Sequence, residues 1–340
     1  MARHTFMCVD AHTCGNPVRV VAGGAPPLAG ASLSEYRQHF LREYDWIRQG
    51  LMFEPRGHDM MSGSILYRPL RDDCDLGVLF IETSGCLPMC GHGTIGTVTV
   101  ALEEGFVTPS EPGRLKLETP AGLRGWSTRA TTGTWSGCGC SNVAAYLAAA
   151  DVTVDVPGYG ELTCDIAYGG NYYAIFDPQP GFEGLDALSV DEILRLSPLV
   201  RERLNALVEP VHPDNPTIRG VSHVMWTGPA REPGADARNA VFYGERAVDR
   251  SPCGTGTSAR MAQLHARGRL SVGDRFIHES IIGSLFEGRI ESAAQVGGHE
   301  AIMPSIAGLG ADHRLQHHFH RRPGPLRLWL HGEVVPIRRQ

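Results

Sequence analysis

No apolar run in this 340-residue chain approaches the roughly 20 residues a helix needs to cross a bilayer. The opening MARHTFMCVDAHTCGNP holds no apolar core of the kind an export signal requires. The expectation is therefore a cytoplasmic protein, neither anchored nor secreted. A basic excess is missing as well. Lys and Arg number 31 against 37 Asp and Glu, for a net charge of −6, which disfavours a broad nucleic-acid surface. No Cys-x-x-Cys pair occurs, so a zinc ribbon or a thioredoxin-type site is disfavoured. Length alone suggests two domains of roughly 150–200 residues each.

Cysteine, by contrast, is plentiful. There are nine: Cys8, Cys14, Cys74, Cys86, Cys90, Cys138, Cys140, Cys164 and Cys253. An odd number without an export signal does not read as a disulfide framework. Most must be small buried thiols, leaving one or two for chemistry. Glycine (41) and proline (23) punctuate the chain often, so strands should be short. Residues 16–22, 76–82, 151–156, 172–176 and 240–243 are β-branched or aromatic and bounded by Gly, Pro or Asp, which reads as strand. Residues 32–50 read as one helix, capped by Ser32 or Ser34 and ended by Gly50. A second helix spans 189–207, with Pro198 expected to break it. The irregular mixture of strand and helix favours an α+β fold over a doubly wound sheet.

One pattern occurs twice. CGHGTIGTVTVALEEG starts at Cys90 and CGTGTSARMAQLHARG at Cys253. Both read Cys-Gly-x-Gly-Thr followed by a helix-like stretch, and each meets a glycine (Gly105, Gly268) at the same distance. The recurrence half a chain apart points to a duplicated unit. A cysteine just before a helix meets free N–H groups and the positive end of the dipole, which should draw its pKa down towards neutrality. The neighbouring glycines let backbone amides cradle an anion. No lysine follows either stretch, so neither is a P-loop, and neither is read as a dinucleotide fingerprint. Two such thiols facing each other suit a reaction that takes a proton from one face of a carbon and returns one to the other. The substrate would carry a carboxylate, and the same dipoles would stabilise the developing enolate. The scheme needs no metal and no cofactor.

LPMCGHGTIG at 87–96 and DRSPCGTGTSAR at 249–260 resemble the two characteristic motifs of the proline racemase family. DAHTCGNPVRVV, EPRGHDMMSG and YGGNYYAI also resemble family segments, and the likeness covers roughly residues 5–125 and 141–308. The resemblance implies an α+β, diaminopimelate-epimerase-like fold. Two pseudo-symmetric α/β domains would each wrap a sheet around a central helix, with the active site in the cleft between them. The expected division is 1–125 plus 305–340 for the domain carrying Cys90, and 126–304 for the one carrying Cys253. By the same resemblance Cys90 and Cys253 are the paired acid and base, exchanging roles with direction. Gly91 and His92 match the substrate-contacting pair after the first cysteine, and Gly254 and Thr255 the pair after the second. Asp249 matches the residue that binds the substrate amine, and His223 one that reaches the ring. A cysteine at 253, where the family's dehydratases carry threonine, favours epimerisation. Gly93, with His92 and His223 nearby, suits a ring bearing a hydroxyl. The expected reaction is trans-4-hydroxy-L-proline to cis-4-hydroxy-D-proline, with proline racemisation the alternative and trans-3-hydroxyproline dehydration the next. The expected partner is a small imino acid. Neither nucleic acid nor membrane is expected, and a homodimer is compatible with this reading.

Two stretches resist it. ATTGTWSGCGC at 130–140 lacks strand alternation, and the chain from Leu309 is rich in His and Arg. Read out of frame, the first from the third base of its opening codon, codons for these stretches can spell DDGHVERVRL and WARITGYNTIFIDDRDPFAYGF, both similar to family sequence, so two shifted frames are the expectation. Otherwise His317, His318 and His320 keep a metal-binding reading. A thiol-redox or metal-binding protein using Cys86, Cys90 and His92, or Cys138 and Cys140, is the rival class. A non-catalytic imino-acid binder is another.

Overall fold

The computed structural model describes residues 4–131 and 134–308, with 123–131 and 134–141 as backbone alone. The fold is α+β and rich in sheet. Strands Met7–Thr13, Asn16–Gly23, Ser62–Tyr67, Leu76–Glu82, Arg114–Thr119 and Gly122–Thr131 pair in that order. Their senses run antiparallel, parallel, antiparallel, parallel, antiparallel. Strands Gly160–Tyr168, Tyr172–Phe176, Val221–Gly228, Ala237–Tyr243, Arg275–Glu279 and Leu285–Val296 repeat the same order of senses. Each set adds one more antiparallel strand, Thr134–Ser141 and His299–Gly308. These two strands pair with each other and join the halves. The expected boundaries at 125/126 and 304/305 fall inside Gly122–Thr131 and His299–Gly308, so the chain changes halves along a seam of strands rather than a linker.

Each half sends its helix inward. Helix α3 (Gly91–Glu103) and helix α5 (Gly254–Ala266) each follow a very short strand, Gly85–Leu87 and Ala247–Val248. Neither helix is amphipathic, because both are covered nearly all round, α5 over eleven consecutive residues. Small residues make this possible. A Cβ on Gly96 would meet Val18 at 2.9 Å. Thr94 and Thr97 return their hydroxyls to the carbonyls four residues back, so no polar group of theirs is stranded.

The outer helices differ from expectation in detail. The stretch 32–50 forms two helices, α1 (Leu33–Glu43) and α2 (Asp45–Met52), hinged at Tyr44. Ser32 is the cap that acts, accepting from the Glu35 amide. The break lets Phe40 and Ile47 enter one core with Val21, Ile65 and Leu79. Helix α4 (Val190–Leu207) runs through Pro198 unbroken. Only one backbone bond is lost there, while Ile193, Leu196, Val200 and Leu204 hold the helix to the sheet. Trp226, fully buried beneath α4, gives its indole N–H to Ser197 Oγ at 2.9 Å, so its polar edge is satisfied. The strand expected at 151–156 begins at Ala145, and residues 134–141 pair as a strand despite their lack of alternation. Among the described residues no helix is long and apolar enough to cross a membrane.

In the second half, Ala145–Val156 pairs with both Gly160–Tyr168 and His299–Gly308 and closes the sheet into a barrel. In the first half, Met7–Thr13 has a paired neighbour on one side only among the described residues. The tail reading, from Leu309 on, lies outside the described residues, as does the His317, His318 and His320 metal reading. Sequencing the gene tests the frame directly. The expected result is that the neighbouring frame encodes the two family-like peptides. If neither place yields one, the stretches are genuine.

Candidate active site

The two helix starts meet. A Cβ on Gly91 would lie 2.7 Å from Gly254 Cα and 2.9 Å from the Thr255 nitrogen, so the backbones touch where both helices begin. Cys90 and Cys253 are the N-cap residues of α3 and α5 and line one small cavity. The cavity also takes in His92, His223, Asp249 and Thr255, as well as Gly91. All the expected site residues are thus brought together, Gly254 through its contact with Gly91. The open space is about 10 Å³, no more than one water. Cys90 is 3% exposed and Cys253 6%. The cleft is therefore closed in this state, and an imino acid can enter only if the halves part.

The thiols are held differently. Cys90 Sγ accepts the Gly93 amide and lies 3.2 Å from Glu82 Oε1. Cys253 Sγ lies 3.3 Å from the Tyr173 hydroxyl, which also bonds Thr255 Oγ1. Cys253 adopts φ +63°, a left-handed conformation that costs a side chain of order 1 kcal/mol or more. Both thiol pKa values are raised, not lowered as the dipole argument expects. Burial is the first cause in each case. The Glu82 carboxylate adds to it at Cys90, and Asp249 at Cys253. The N–H groups of the helix starts pull the other way but are outweighed.

Glu82 is the residue the sequence reading missed. It ends an apolar strand and is wholly buried. Ser62 Oγ donates to its Oε1 and Ser84 Oγ to its Oε2. Burial raises its pKa, with His92 opposing. Tyr173 and Asn171 also line the cavity. They belong to YGGNYYAI, a segment noted without any role for them.

Asp249 Oδ1 accepts hydrogen bonds from the backbone N–H and the hydroxyl of Ser251, both at 2.8 Å. Its Oδ2 stays turned towards His92 Nδ1 at 3.7 Å. Arg250 N–H donates to Asn16 Oδ1, which turns the Asn16 amide nitrogen to His92 Nε2 at 3.1 Å. Nε2 must then accept, so the His92 proton sits on Nδ1, facing Cys90 and Asp249. His223 pairs its Nδ1 with Ser222 Oγ at 2.7 Å, and its ring lies tilted at 32° against Tyr173, 4.6 Å between centroids. Burial, with Arg201 and His92 nearby, lowers its pKa to about 3, so it is neutral.

Glu82, Cys90 and His92 place ligand-type atoms within 4.8 Å of one another. The proton on His92 Nδ1 opposes a metal there, because moving it to Nε2 would set it against the Asn16 amide. Cys86 sits apart, in the core under α1 and α2, with its pKa raised to about 12 by burial. Cys138 and Cys140 are described by backbone alone. Gly91, Gly93 and Gly96 do spell G-x-G-x-x-G, contrary to the sequence reading, but the space beside them is filled by Gly254, Cys90 and Val18 rather than left for a pyrophosphate.

The raised thiols carry a pH prediction. Iodoacetamide should modify Cys90 and Cys253 slowly at neutral pH, and the rate should still be climbing above the ordinary cysteine pKa of about 8.5. Glu82→Gln removes a negative neighbour, so Cys90 labelling should accelerate at fixed pH. Mass-spectrometric labelling rates check both, and fast labelling at pH 7 would contradict them.

Comparison with known proteins places the chain among relatives of one family. A family model described as proline racemase matches residues 8–319. The chain is 61% identical, over 91% of its length and 92% of the other's, to a 4-hydroxyproline 2-epimerase of Brucella suis biovar 1. Its fold is similar to a hydroxyproline epimerase from Agrobacterium vitis crystallised with bound trans-4-hydroxy-L-proline (TM-score 0.82, 30% identity, 90% of each chain). It is equally similar to a probable proline racemase from Agrobacterium radiobacter K84 with bound carbonate (TM-score 0.83, 34% identity, 89% of this chain and 90% of that one).

Proposed function

The chain belongs to the proline racemase family, and from that premise we propose that it is a 4-hydroxyproline 2-epimerase converting trans-4-hydroxy-L-proline to cis-4-hydroxy-D-proline. The observation that carries the reading is the pair of cysteines capping two helices whose starts touch. The finer architecture follows the same reading. It is diaminopimelate-epimerase-like, with two pseudo-symmetric domains each wrapped around its inward helix, and the repeated order of strand senses supports this. The chain works in the cytoplasm on a small imino acid.

The substrate carboxylate binds the free N–H groups at the starts of α3 and α5, those of Gly91, His92, Gly254 and Thr255. Its ammonium sits at Asp249 Oδ2, the oxygen left over from the Ser251 contacts. His92 and the neutral His223 face the ring and its hydroxyl. One thiol must become thiolate. The arriving ammonium offers a positive charge that counters the effect of burial, and Glu82 can hold the proton that Cys90 gives up. The thiolate removes the α-proton from one face. The helix starts stabilise the negative charge that spreads into the carboxylate. The opposite thiol then delivers its proton to the other face, and the cysteines exchange states.

Proton NMR in deuterium oxide, with trans-4-hydroxy-L-proline and L-proline in parallel, tests this. The expected result is α-deuterium incorporation with inversion of hydroxyproline, faster than any reaction of proline. Faster reaction of proline would favour the racemase, and neither exchange nor inversion would overturn the reading.

A further inference from the structure

Next to the closed site lies a larger cavity of about 410 Å³, open to solvent and walled by both halves of the chain. Leu87 and Asn171 line both spaces. Its other walls adjoin active-site residues in sequence: Pro88 leads to Cys90, Ser222 to His223 and Gly244 follows Tyr243. Three arginines line it: Arg37 of α1, Arg201 of α4 and Arg219, the last paired with Glu209 at 3.6 Å and so set aside.

Arg37 and Arg201 are both anchored by carbonyls rather than carboxylates. Arg37 Nε donates to Cys86 O at 2.5 Å and Nη1 to Thr217 O at 3.4 Å, spanning the two halves. Arg201 Nη1 donates to Ser222 O at 3.2 Å and Gly244 O at 2.7 Å, and its guanidinium lies over the Phe242 ring. No described carboxylate forms an ion pair with either. Glu245, exposed at the rim, is the acidic group nearest in effect to Arg201. Carbonyls fix a guanidinium in place without cancelling its charge. The remaining N–H groups of each therefore stay free and oriented, which is the arrangement a carboxylate binds.

We propose that this cavity is an outer carboxylate-binding site, where the imino acid docks its carboxylate on Arg37 and Arg201 before the halves part to admit it. The site rests on the imino-acid reading above and adds a second binding step to it. Its position explains how a zwitterion reaches a cavity with room for one water. The arginines hold the carboxylate at the mouth while the ammonium end faces Asn171 and the entrance.

Two measurements test it, one independent of turnover. In protein labelled with ¹⁵N-arginine, acetate is titrated while the side-chain Nε–Hε signals of Arg37 and Arg201 are followed, each assigned by its own substitution. Saturable shifts of both are expected, and no shift overturns the proposal even if the enzyme proves active. With wild-type epimerisation of hydroxyproline in hand, Arg201→Met and Arg201→Lys are then compared. Arg201→Met should lower kcat/KM about tenfold and weaken its salt dependence, with kcat little changed. Arg201→Lys, which keeps the charge, should restore most of the loss. Equal losses in both would assign Arg201 to holding the Gly244 carbonyl and overturn the binding role. If wild type fails to epimerise hydroxyproline while acetate still shifts both signals, the functional reading falls and the anion site stands.

Discussion

Serine at position 90 or 253 should reduce kcat for epimerisation by about 10²–10⁴-fold, the range for loss of a general acid or base. Sulfur is replaced by an oxygen that holds its proton far more tightly, while size and burial hardly change. The fold should therefore survive, and an unchanged melting temperature checks this. The two variants should differ in an informative way. With one thiol left, the cleft can still remove an α-proton and return solvent deuterium to the same face. Each variant should then exchange the α-hydrogen of one epimer only, without inversion, and Cys90→Ser and Cys253→Ser should choose opposite epimers. Turnover retained near the wild-type rate in either single variant would refute a two-base mechanism. Exchange of both epimers by one variant would refute the assignment of one thiol to each face.

That experiment separates what the chain displayed openly from what it concealed. Cys90 and Cys253 were legible because a local pattern, Cys-Gly-x-Gly-Thr before a helix, occurred twice. The repeated order of strand senses, which is the clearest trace of duplication in the fold, was not. Pairing joins residues as distant as Tyr146 and Ala301, and no local pattern encodes that partnership. Glu82 was hidden for a related reason. A charged residue closing an apolar strand ordinarily points to water, and only the fold turns this one onto Cys90 between Ser62 and Ser84. The thiol pKa values show the same limit. The helix dipole can be read from sequence, but burial and a remote carboxylate cannot, and these reverse its sign. Pro198 marked a break by its own chemistry, whereas four apolar residues packed on the sheet keep α4 whole.

Gly91→Ala should damage catalysis far more than its one added methyl suggests. Its Cβ would meet Gly254 Cα at 2.7 Å and the Thr255 nitrogen at 2.9 Å, and backbone cannot turn aside as a flexible side chain does. Relief requires the starts of α3 and α5 to separate by several tenths of an ångström. Those starts carry both thiols and the amides assigned to the carboxylate, so the separation spreads every catalytic contact at once. A misplacement approaching 1 Å can cost about 10²-fold in rate, and a loss of that size in kcat is expected. Overpacking should also cost about 1–3 kcal/mol of stability, read as a lower denaturant midpoint with an unchanged slope. Gly298→Ala is the control, since nothing lies within 4 Å of a Cβ there. Loss of stability without loss of kcat would mean that the helix starts need not touch for proton transfer. Loss of kcat beyond what the unfolded fraction explains would show that this contact, backbone against backbone, sets the distance between the two thiols.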